Sequence, residues 1–105
     1  MPTSHELAEK LAGLASRIND LAVETTGGDS RTLLDLQDHL SDLALAAIGT
    51  ALDEEEARYK QAVKALGGAI DEIGDETEAI EQVTRIIKVV KKAADLAEAL
   101  LKSAA

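Results

Sequence analysis

Aliphatic side chains recur at helical spacing along almost the whole of this chain, and almost nothing aromatic interrupts them. Leu7, Leu11, Leu14, Ile18 and Leu21 step by four, three, four and three residues, the interval that returns a side chain to one side of an α-helix. Ala8, Ala15 and Ala22 run beside that seam at intervals of seven, which gives it a small-residue flank. A second seam follows in Leu33, Leu36, Leu40, Leu43 and Ala47, widened by Leu34, Leu45 and Ile48. A third is Leu52, Tyr59, Val63, Leu66, Ile70 and Ile73.

The last seam is the widest. Ile80, Val83, Ile87, Val90, Ala94, Ala97 and Leu101 form one row, Ile86, Ala93 and Leu100 a second, and Val89 and Leu96 lie further round. At about 100° per residue these positions span roughly 160° of the helix. Glu81, Arg85, Lys88, Lys91, Lys92, Asp95, Glu98 and Lys102 fall in the remaining arc. Such a face must be covered on two sides, as the central helix of a bundle or as half of an oligomer interface.

Between the seams stand helix punctuation marks. Ser4 suits an N-cap. Thr25-Thr26-Gly27-Gly28 closes the first helix, because Gly tolerates the left-handed conformation. Asp29 or Ser30 then opens the second. A break is expected from Gly49 to Asp53, where Asp53 and Glu56 have the form of a capping box. Gly74 ends the third helix, and Asp75 with Glu78 repeats the cap-like pair. Gly67-Gly68 inside the third seam implies a close helix crossing or a kink, with ligand approach as the other reading, since each Gly costs about 1 kcal/mol against Ala within a helix. The expected fold is all-α, an up-down-up-down four-helix bundle with helices over 4–26, 30–50, 53–73 and 76–103 in a single domain, 1–105. The alternative is three long helices with residues 30–73 continuous, because the 3.6-residue spacing survives the junction.

Composition bounds the chemistry. The 105 residues include no Cys, Phe or Trp and one Tyr, so disulfides and thiolate zinc sites are excluded. The absence of Cys fits a reducing compartment, and cytoplasmic localisation is expected. Met1-Pro2-Thr3-Ser4-His5 shows no basic n-region before an apolar run, so no signal peptide is expected. No run of about 18 apolar residues provides a membrane span. The net charge of -9 argues against nucleic acid as a partner. That charge is unevenly placed, because residues 85–105 hold five of the 11 Lys and Arg but only two of the 20 acids.

Each candidate site has a plain reading beside a functional one. His39 has Asp35 and Asp42 on its own helix flank. The string His39-Leu40-Ser41-Asp42-Leu43 resembles, in the His and its helical setting, the acceptor region of histidine phosphotransfer domains, four-helix bundles with a His-x-Leu-Lys-Gly motif. The resemblance implies His39 as a phosphoryl acceptor. The departures are Leu40 directly after the His, Asp42 where a Lys would stand, and no following Gly. The plain reading is a surface His paired with Asp. A di-metal bundle needs Glu-x-x-His twice, and His5 and His39 do not supply it, so no metal and no cofactor are expected. Ser residues without a visible His–acid partnership and paired Gly without a Lys-Ser/Thr sequel give no catalytic motif, so no enzyme is expected. Arg85, Lys88, Lys91 and Lys92 form a basic arc that suits a membrane surface or neutralises the acidic helices beside it. Tyr59 suits a core position, with an interface role as the other reading.

The function expected is a small soluble helical protein–protein interaction module. It associates with itself, or with another protein, through the apolar face of the C-terminal helix, with Tyr59, Ile86, Val89, Ala93, Leu96 and Leu100 at the contact. The alternatives are a membrane-surface protein using the basic C-terminal helix and a phosphotransfer-like domain using His39.

Overall fold

A computed structural model describes residues 5–50, 52, 56–74 and 82–104. The aliphatic seams become four helices: α1 (His5–Glu24), α2 (Gly27–Ile48), α3 (Ala57–Ile73) and α4 (Val83–Ala104). They form a four-helix bundle measuring 39 × 19 × 18 Å. The continuous 30–73 helix does not occur, because α2 stops at Ile48. There the Gly49 N–H bonds back to the Ala46 carbonyl and the Thr50 N–H to the Ala47 carbonyl, and the Thr50 hydroxyl donates to the Ala46 carbonyl at 2.7 Å.

Each seam points inward. Leu7, Leu11, Leu14, Ile18 and Leu21 are fully buried, as are Leu33, Leu40, Ala47, Ala62, Leu66, Ala69, Val90 and Ala97. Leu52, between α2 and α3, is also buried against this core. Full burial of a Leu or Ile contributes on the order of 1.5–3 kcal/mol, so the number of such positions compensates for the lack of aromatic anchors.

Helix α1 packs on α2 and α3, and α4 packs on α3 and α2, whereas the backbones of α1 and α4, and of α2 and α3, do not come close to one another among the described residues. The bundle is therefore two helical hairpins laid side by side, α1–α2 and α3–α4, with consecutive helices α2 and α3 at opposite corners. The first hairpin turns on Thr25 and Thr26 alone. Gly27 takes φ +74° there, a backbone that side-chain-bearing residues rarely adopt. The Thr25 hydroxyl donates to the Leu21 carbonyl at 2.8 Å. Ser30 does not cap α2; its hydroxyl donates to the Ala22 carbonyl at 3.0 Å and ties the two helices together. Helix α2 thus begins three residues before the expected start at 30, because one left-handed glycine completes the turn and Gly28 is already helical.

Helix α3 begins at Ala57, later than the expected 53, after an extended Glu56. It ends at Ile73, with the Gly74 N–H bonded to the Asp71 carbonyl. Ser4, Asp53, Asp75, Glu78 and Ile80, and the expected start of the last helix at 76, lie outside the described residues.

Candidate functional site

Two hairpins of opposite charge make up the bundle. Helices α1 and α2 carry three Lys or Arg and eight Asp or Glu, a net -5. Helices α3 and α4 carry eight and four, a net +4. Much of the chain's acid surplus belongs to neither hairpin, because Asp53, Glu54, Glu55, Glu56, Asp75, Glu76, Glu78 and Glu81 stand in sequence outside α1 to α4. The charge boundary falls between the hairpins, and not at the start of the last helix.

The large exposed aliphatic side chains of the described residues are Val23, Leu34, Leu45 and Ile48, at 74%, 44%, 70% and 68% exposure. All four lie on the α1–α2 hairpin. Leu34, Ser41 and Ile48 are spaced by seven, so they share one flank of α2, with Gln37 and Leu45 beside them. Ala12, Ser16 and Val23, stepping by four and seven, form the facing flank of α1. Ala12, Ser16, Gln37, Ser41, Leu45 and Ile48 line one shallow groove between the two helices. This strip holds no charged residue, in a chain in which 30% of residues are charged. Its borders are acidic: Glu9 and Asp20 on α1, and Asp35, Asp38 and Asp42 on α2, with Arg31 the cation among them.

On the opposite side of the bundle, α3 and α4 enclose a groove lined by Ala65, Gly68, Ala69, Glu72, Val89, Lys92 and Ala93. Arg85 is ion-paired with Glu72 across it. Lys88 and Lys92 are exposed and form no ion pair among the described residues. A Cβ added at Gly67 or at Gly68 would meet nothing within 4 Å. Among the described residues the paired glycines therefore mark no helix crossing; they leave the outer side of α3 bare.

The residues read from sequence as an interface are placed largely inside. Ile86, Ala93, Leu100 and Tyr59 are buried, at 1%, 1%, 2% and 2% exposure, and Val89 and Leu96 are half-buried against the core. The wide face of α4 is covered by α2 on one side and α3 on the other. In the basic arc, Arg85 meets α3 while Lys88, Lys91 and Lys92 face outward.

His39 meets neither Asp35 nor Asp42. Its Nε2 lies 3.2 Å from Glu98 Oε1 on α4, and Glu98 Oε2 accepts from Lys102 Nζ at 2.9 Å. The hydrogen bond from Lys102 and its charge hold the Glu98 carboxyl below its ordinary range, with a smaller contribution from His39. The same bond raises Lys102. These groups border an open groove of about 390 Å³ that also includes Asp42 and Thr50. A phosphoryl group on His39 would stand beside two carboxylates and one ammonium, a poor electrostatic setting for added negative charge. Among the described residues no group of three or more His, Cys, Asp or Glu is placed to hold a metal ion, and no helix is long and apolar enough to cross a membrane.

The uncharged strip on α1–α2 escaped the sequence reading. Leu34, Leu45 and Ile48 were visible as a widening of the second seam, and their common flank with Ser41 was the available signal. No family model matches the chain, and no similar protein was found among curated proteins or solved structures.

Proposed function

We propose that this protein acts through protein–protein contact, with a second copy of itself as partner, and that the outer face of the α1–α2 hairpin supplies the surface. The observation that carries this reading is an uncharged groove between α1 and α2 at which Leu45 and Ile48 stand exposed, with exposed Val23 and Leu34 continuing the same two flanks by helical spacing. Exposed aliphatic residues scattered singly are ordinary, whereas a contiguous group rimmed by polar residues marks an interaction surface. The apolar face of α4 named from sequence is occupied inside the bundle, so a contact there reaches only its outer margin at Val89 and Leu96.

Light scattering on the purified chain tests the reading. The expected mass exceeds the 11.0 kDa of one chain and rises with concentration. Leu45→Ser with Ile48→Ser is expected to return it to that of one chain without loss of helical signal. A wild-type mass of one chain at every concentration would overturn self-association.

A further inference from the structure

We propose that copies of this chain associate head to tail, the outer α1–α2 face of one copy seating on the outer α3–α4 face of the next. The proposal rests on the self-association reading and specifies its geometry. The α1–α2 strip is aliphatic at its centre and acidic at its borders, with Asp35, Asp38 and Asp42 forming no ion pair among the described residues. The α3–α4 face is its electrical opposite. Its groove is floored by Ala65, Gly68 and Val89 and flanked by Lys92, its one carboxylate, Glu72, is taken up by Arg85, and above Gly68 an added Cβ would meet no neighbouring group within 4 Å.

Leu45 and Ile48 are the projections, and the bare side of α3 at Gly68 is the recess. Asp38 and Asp42 of one copy then approach Lys88 and Lys92 of the next. A symmetric pairing of two α1–α2 faces instead brings acidic borders against acidic borders, and like charges across an interface oppose association. Because the two faces lie on opposite sides of the bundle, docking one leaves the other available. A heterologous contact of this kind builds an open series or a ring rather than a closed dimer.

The test uses two full-length variants with exposed charges reversed, Asp38→Lys/Asp42→Lys and Lys88→Glu/Lys92→Glu, with circular dichroism to confirm that each retains the wild-type helical signal. Sedimentation velocity of the wild type is expected to show species larger than a dimer as concentration rises. Each variant alone is expected to associate roughly tenfold or more weakly, because like charges now face each other. An equimolar mixture is expected to recover association, since the acidic α3–α4 face of one variant meets the basic α1–α2 face of the other. A closed dimer insensitive to Lys88→Glu/Lys92→Glu would overturn the head-to-tail geometry and leave self-association standing. So would loss of association in both variants without recovery on mixing. A wild-type chain that stays monomeric would overturn both.

Discussion

The imidazole of His39 on α2 meets the carboxylate of Glu98 on α4 at 3.2 Å, and Lys102 shares the same carboxylate. The Glu98 carboxyl lies below its ordinary value of 4.5, first through the Lys102 hydrogen bond and charge. A carboxyl depressed by folding contributes stability that is present above its unfolded value and lost as pH falls through the folded one. The wild type should therefore lose a small increment of thermal stability on acidification below about pH 4.5 that Glu98→Gln does not lose. Thermal melts of the two proteins across that window measure it, and parallel pH profiles would contradict it. Lys102 has the opposite sign: its raised value gives stability that is present below 10.5 and lost above.

Burial separates two leucines of the same chain. Leu66 is fully buried, whereas Leu45 is 70% exposed. Leu66→Ala should lower unfolding free energy by about 2–5 kcal/mol, the range for a truncated core Leu. Leu45→Ala should stay within about 0.5 kcal/mol in dilute solution. Urea unfolding of both at low protein concentration decides it.

Two glycines should respond with opposite signs. Gly27 has φ +74°, and an Ala there is strained by about 1–2 kcal/mol. Gly67 is helical, and an added Cβ meets nothing within 4 Å. Gly67→Ala should raise stability by about 0.5–1 kcal/mol through helix propensity and the stiffer unfolded chain. Midpoints of denaturant unfolding report both changes.

Ser30 clips the first hairpin through its 3.0 Å bond to the Ala22 carbonyl. Ser30→Ala should cost about 0.5–1.5 kcal/mol, the net worth of one intramolecular hydrogen bond. Hydrogen exchange should show faster opening at the α1–α2 turn than in the wild type. Unchanged protection there would refute the role.

The helical seams were legible because burial and periodicity coincide. Every member of the row from Leu7 to Leu21 is fully buried, and the break after Ile48 fell where Gly49 placed it. Helix starts were harder to read. Gly27-Gly28 looks like one interruption, yet only the first glycine takes the turn conformation, and Ser30 spends its hydroxyl on α1 instead of on a cap. The wide face of α4 was read correctly as needing cover on two sides. Which neighbours supply it depends on helix placement, which periodicity alone does not contain. Leu34, Leu45 and Ile48 lie about 80–140° round the helix from Leu40, far enough to leave the core, yet their hydrophobicity alone does not separate them from it. The partner of His39 was hidden for the same reason, because Glu98 approaches from another helix.

The pairing of α1 with α2 and of α3 with α4 has a kinetic consequence. Each hairpin is assembled from stretches adjacent in sequence, so most of its native surface is available before any distant segment arrives. Chains dominated by such local encounters reach the native state quickly, on the order of microseconds to milliseconds. Docking of the two preformed halves is then the slow event. Substitutions at the seam between them, such as at Ile70, which lies against Gly13, should slow that docking step more than substitutions within one hairpin do.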